Sequence, residues 1–160
     1  MAIETKTDAP VNARDIKPPL VVLPVAWWNR VSQKALRFAW TLSPEIKVVH
    51  VDSGEGSDDF ASRWHDLIET PAREAGMPVP ELVILKSRYR FIISPIVDYA
   101  IELEKANPHR QVAVLLGELV ENRWYYALLH NNRAEVIRPL ILSKSERRIT
   151  VVNIPWYLSD

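Results

Sequence analysis

Two arginines are the residues best placed to do chemistry. In "SRYRFIISP", Arg88 and Arg90 flank Tyr89 directly after an apolar run. Ser94-Pro95 reads as a helix start, Ser at the cap and Pro at the first position, so a positive helix end is expected nearby. Two guanidiniums with an aromatic ring between them suit a phosphate and a stacked base. They equally suit ion pairs with carboxylates across a subunit or domain interface, the commoner fate of surface arginines. Both readings stay open. His130 and Asn131, in "LLHNN", stand at an expected helix start, where hydrogen bonding or capping is expected of them rather than base catalysis; they join the arginines as candidate ligand residues.

Other chemistries find less support. "GEGSDD" holds a partial dinucleotide fingerprint, Gly54-x-Gly56, but Asp59 stands at the third glycine position, and two acids in a helix's first turn disfavour phosphate. The same run lacks the regular acidic spacing and terminal Glu of a calcium loop. His50, His65, His109 and His130 share no i, i+4 spacing, so no metal site is expected. Zero cysteines exclude disulfides, thiolate ligands and a Cys nucleophile, and suit a reducing compartment. No Gly-x-Ser-x-Gly elbow or Ser-x-x-Lys occurs. A non-catalytic protein without a cofactor is expected.

Charge and hydropathy set the frame for these residues. Lys plus Arg (20) balances Asp plus Glu (20), leaving no net footprint for nucleic acid, although local basic clusters remain open. No apolar run approaches the roughly 20 residues that span a bilayer. Residues 1–17 read as a flexible polar tail without a signal peptide's apolar stretch, and 18–160 as a single domain, intracellular as written.

Within that domain, "PPLVVLPV" (18–25) is the unbroken apolar run of a strand covered on both faces. Asn29 caps an expected helix with Val31, Ala35, Phe38, Ala39 and Leu42 on one side, stopped by Ser43-Pro44. Strands follow at 46–52, 81–87, 111–119 and 148–155. A helix capped by Ser57 is broken or restarted by Thr70-Pro71, and another opens at Pro95 and closes at Asn107-Pro108. Residues 121–142 supply the next helical region, which ends or kinks near Arg138 because Pro139 sits inside its pattern. Alternating strands and helices predict an α/β fold around a five-stranded parallel, doubly wound sheet.

Several stretches together carry a family resemblance: "PPLVVLPVAWWNRVSQKALRFAWTLSPEIKVVHVD", "SRYRFIISPIVDYA", "RWYYALLHNNRAEVIRPLIL" and "VVNIPWYL". Over roughly 18–158 the chain resembles the cytosolic C-terminal domain of bacterial APC-superfamily permeases, amino-acid-permease-like transporters related to KUP-like potassium importers. The resemblance implies a universal-stress-protein-like fold with strand order 3-2-1-4-5, following a membrane transporter domain. It also implies a regulatory or assembly role at the cytosolic face, and cyclic di-AMP as a ligand, since that messenger regulates some potassium-importing relatives. A transporter domain is missing from this chain, so transport by this polypeptide alone is not expected. A stand-alone stress-protein-like nucleotide binder is the alternative.

In that strand order, ligands sit beyond the carboxyl ends of strands one and four. ATP-binding stress proteins carry an Asp after the first strand and a glycine cradle after the fourth. Here Ala26, Trp27 and Trp28 follow the first, and no glycine follows Gly117. Bulk in place of bare backbone N–H groups predicts a pocket filled by the protein itself. Trp27, Trp28, Trp124 and Trp156 fall near element ends, which suits docking, because Trp, Tyr and Arg dominate interface hot spots. The last strand is expected at a sheet edge and pairs there with a second copy, with Val151 in the ladder and Trp156 and Tyr157 against the neighbour. A homodimer is the expected assembly.

Overall fold

The computed structural model describes residues 6–52, 60–86, 93–118 and 148–155. Its apolar runs form a five-stranded sheet of order β3-β2-β1-β4-β5: β1 (Leu20–Pro24), β2 (Ile46–Asp52), β3 (Glu81–Lys86), β4 (Val112–Glu118) and β5 (Ile149–Pro155). Every pairing is parallel. The expected fold class and strand order are both present. β1 is central, with Val21 opposite Ile46 of β2 and Ala113 of β4, and all five of its residues are buried.

Strand alternation splits the core in two. Leu20, Val22, Val112, Val114 and Leu116 face α4 (Ile93–Ala106), which contributes Ile96, Val97, Ala100 and Ile101. Val21, Leu23, Val25, Val48 and Leu115 face the other way, toward Ala35, Leu36 and Ala39 of α1 (Arg30–Leu42) and Phe60 and Trp64 of α2 (Phe60–Trp64). Helices therefore cover both faces, as a doubly wound sheet requires.

Local chemistry moves several boundaries from their expected places. β1 begins at Leu20 rather than Pro18, since neither Pro18 nor Pro19 can donate to a ladder. Asn29 is the α1 cap as expected, in a capping box with Ser32. Phe38, however, is 36% exposed, and Leu36 is buried instead. At about 100° per residue, the buried Val31, Ser32, Ala35, Leu36 and Ala39 centre the inward face roughly 90° from Phe38, so Phe38 lies on its flank. Residues 53–59, including Gly54, Gly56 and Ser57, lie outside the described residues.

Thr70-Pro71 neither breaks nor restarts the second helical run. A π-helical turn at His65–Glu69 joins α2 to α3 (Thr70–Glu74), and Thr70 N–H donates to His65 O, five residues back. Pro71 has no N–H and its ring crowds the preceding turn; the wider turn accommodates both. Gly76, at φ +70°, then ends α3 in the left-handed conformation, with Met77 N–H donating to Ala72 O at 2.8 Å. α4 starts at Ile93, so Ser94 stands inside its first turn rather than capping it. Asn107 closes that helix, its side-chain amide donating to Leu103 O at 2.9 Å.

Candidate functional site

At its carboxyl end, β1 pairs with β2 on one side and β4 on the other, which makes this end the switch point of the sheet. Val25 continues past β1, its N–H donating to Val49 O at 2.9 Å. Beyond it the chain turns through Ala26, Trp27 and Trp28 into α1. The α1 N-terminus, a natural anion site in such folds, is already occupied by its own cap. Asn29 Oδ1 accepts from Ser32 N–H at 3.0 Å, and Ser32 Oγ donates to Trp27 O.

The space left between Leu23, Ala26, Trp27, Asn29, Ser32 and Gly117 amounts to about 20 Å³. That holds a single water; nucleotide-sized sites need hundreds of Å³. Trp28 supplies bulk beside it. Its ring stacks on Phe60 at 5.7 Å and 23°, and Phe60 meets Trp64 edge-on at 5.7 Å. His50 lies 5.5 Å from the Phe60 ring, and its Nδ1 donates to Val25 O at 2.9 Å. Trp27, which also borders that space, is 53% exposed. Where the sequence expects a self-filled pocket, the described residues build an aromatic cluster. Residues after Gly117, expected to add to it, lie outside them from 119 onward.

Of the candidate interface residues, Trp28 belongs to the α1 side of the sheet, whereas Val151, opposite Val114 in β5, packs on the α4 side. The structure therefore does not bring them together. β5 pairs with β4 alone among the described residues, at the sheet margin where the sequence expects a second copy to pair. Arg88, Tyr89, Arg90, Trp124, His130, Asn131, Trp156 and Tyr157 lie outside the described residues. The described residues show no group of three His, Asp or Glu able to hold a metal ion, and no helix long and apolar enough to cross a membrane.

Two polar anchors at the amino end of the sheet escape the sequence reading. Arg110 donates twice to Pro18 O, at 2.8 and 3.2 Å, and once to Glu45 Oε1 at 2.9 Å, tying the starts of β1 and β2 together. Glu104 is fully buried at 0% exposure; its Oε2 accepts from Arg148 N–H at 2.9 Å, and its carbonyl accepts from the Arg148 guanidinium at 2.8 Å. A signal for Glu104 was present. It falls at i+7, i+4 and i+3 from Val97, Ala100 and Ile101, on the apolar stripe of α4, where a carboxylate requires a partner.

The family model described as the KimA potassium transporter C-terminal domain matches residues 16–156. The chain is also similar to the potassium transporter KimA of Bacillus subtilis (strain 168), 28% identical over 146 residues, which is 89% of this chain. It spans about a fifth of that relative's length, 22%. The chain belongs to the KimA potassium transporter C-terminal domain family.

Proposed function

We propose that this chain is a non-catalytic regulatory and assembly domain acting at the cytosolic face of a potassium transporter. It works by docking: one surface on the membrane part, with self-association through β5 coupling two copies. The observation that carries this is the family match over residues 16–156, nearly the whole chain. The aromatic cluster and the self-capped α1 favour docking over ATP binding in the stress-protein manner, because the described residues leave about 20 Å³ beside β1 and Gly117. An APC-type membrane partner and a universal-stress-protein-like ancestry belong to the same proposal. So does cyclic di-AMP as the regulating ligand, held by Arg88, Tyr89 and Arg90 with His130 and Asn131.

Co-purification with a potassium transporter's membrane part, in detergent, tests the docking; no retention at micromolar concentrations overturns it. Thermal-shift measurements against cyclic di-AMP, cyclic di-GMP and ATP test the ligand. At 100 times its dissociation constant a ligand adds about 2.7 kcal/mol, and Arg88→Ala with Arg90→Ala is expected to abolish the shift. Light scattering across concentrations tests the dimer, with Val151→Pro expected to weaken it by removing a ladder hydrogen bond.

A further inference from the structure

The outward face of α1 is built against the interests of the helix itself. Arg30, Lys34 and Arg37 are its only charged residues, and the helix contains no acid. Helix dipoles favour acids in the first turn and bases in the last. Here Arg30 occupies the first position and the last turn holds no base. Arg30, Lys34, Arg37 and Thr41 recur at i, i+4, i+7 and i+11, within about 60° of one another around the axis. Arg30, Arg37 and Thr41 are exposed and Lys34 half-buried, and Arg30 and Arg37 form no ion pair among the described residues. Trp27, 53% exposed, stands before this stripe, and Phe38, 36% exposed, beside it. On the opposite flank, Trp40 is tied inward, its Nε1 donating to Pro78 O at 2.9 Å. The chain as a whole is neutral, so this local positive face does not follow from its composition.

We propose that the α1 face of Trp27, Arg30, Lys34, Arg37 and Phe38 docks on an anionic lipid surface. Cations along one helical stripe with aromatic rings beside them match headgroup phosphates and the interfacial layer beneath them. The proposal rests on the transporter reading for its tether. Residues 6–17 lead into β1 exposed and without regular structure; the 17 residues ahead of the domain reach at most ~56 Å at about 3.3 Å each, so a membrane part joined ahead of them would keep α1 near the bilayer. Tethering raises the effective surface concentration, so weak intrinsic binding suffices. The transporter's own cytosolic loops are a poorer partner. Such loops are enriched in Lys and Arg, the same charge as α1, whereas the lipid leaflet beside them is negative.

Co-sedimentation of the full 160-residue chain with vesicles tests this without any transporter. Vesicles of phosphatidylcholine with about half phosphatidylglycerol are compared with phosphatidylcholine alone at low salt. The chain is expected to bind the anionic vesicles and to be released as salt shortens the screening length. At about fivefold in partition per exposed cation near the surface, Arg30 and Arg37 account for about 25-fold, and the triple variant Arg30→Gln, Lys34→Gln, Arg37→Gln is expected to lose at least that. An equal-charge control, Arg73→Gln, Lys86→Gln, Lys105→Gln, is expected to lose under tenfold. Circular dichroism of both variants confirms that they remain folded; should the triple variant unfold, Arg37→Gln alone is compared with Arg73→Gln alone. Equal binding to both vesicle types, or equal losses from stripe and control variants, overturns the proposal. So does a stripe variant that keeps its vesicle binding but loses a transporter's membrane part, since the face then docks on protein. Vesicle binding with no transporter retention upholds the lipid face and removes the transporter reading.

Discussion

The two ends of this sheet are closed by different physics. At the carboxyl end, where parallel α/β sheets bind ligands, Trp28, Phe60, Trp64 and His50 close the fold largely by ring packing. At the amino end, Arg110 and Glu104 close it by charge-assisted hydrogen bonds to Pro18, Glu45 and Arg148. At the apolar end the N-terminus of α1, a phosphate site in such folds, is closed by its own Asn29 cap. The two surfaces proposed above, the β5 margin and the outer face of α1, both lie away from the switch point.

The largest expected effect breaks the apolar end. Phe60 is fully buried and touches three other rings. Phe60→Ala is expected to cost about 3–5 kcal/mol, read from urea unfolding. If the cavity it leaves also admits ATP in a thermal-shift assay, aromatic filling alone is what separates this switch point from a nucleotide site.

Next comes the buried carboxylate. Glu104→Ala leaves the Arg148 N–H without its acceptor and is expected to cost about 2–3 kcal/mol. Glu104→Gln retains an acceptor oxygen and is expected to lose about half as much. Hydrogen exchange adds a positional check: protection should fall first at the start of β5, around Arg148 and Ile149. Uniform loss across the sheet would make Glu104 an ordinary core residue rather than an anchor of that strand.

These two ends were unequally legible in the sequence. The strands were visible as short, β-branched-rich apolar stretches between turn signals; β2, expected at 46–52, occupies Ile46–Asp52. Bulk at the switch point was visible from Ala26, Trp27 and Trp28, where a ligand-binding turn would carry an acid and glycines. Which tryptophan fills it was not, because adjacent residues at a strand's end differ in direction by backbone angles that periodicity does not encode. The π turn at His65–Glu69 was hidden for a related reason. Pro71 signals a break, but a helix can also absorb a proline by widening. The anchors at the amino end join residues 44 and 92 positions apart, Glu104 with Arg148 and Pro18 with Arg110. A charge pattern along the chain says nothing of a partner at that distance. Only the misplaced polarity of Glu104 on its apolar stripe hinted at one.

A smaller effect is expected at Arg110. Its ion pair with Glu45 is partly solvated, so most of its contribution comes from the two bonds to Pro18 O. Arg110→Met is expected to cost about 1–2 kcal/mol, and Arg110→Lys nearly as much, because an ammonium cannot reproduce the guanidinium's forked geometry. Equal stability of wild type and Arg110→Lys, read from urea midpoints, would reduce this anchor to its charge alone.

The smallest effect separates the two ends by pH. Tyr99 of α4 lies near Glu81, which begins β3 and pairs with Lys47 at the amino end. Burial first, and the Glu81 charge second, hold the Tyr99 hydroxyl above the ordinary tyrosine value of 10.0. The folded chain therefore keeps this proton at pH values where the unfolded chain has lost it. The stabilisation is fully present below about pH 10 and disappears as pH rises through the folded value. Urea midpoints measured from pH 8 to 11 should accordingly show wild type and Tyr99→Phe running parallel up to about pH 10. Above it, wild type should lose the advantage that the variant, with no hydroxyl to ionise, never had. Glu81→Gln should remove only the minor part of that alkaline loss, because desolvation is the larger cause. Curves that stay parallel to pH 11 would mean that Tyr99 ionises in the fold as it does in water, and its place beside Glu81 would then carry no electrostatic consequence.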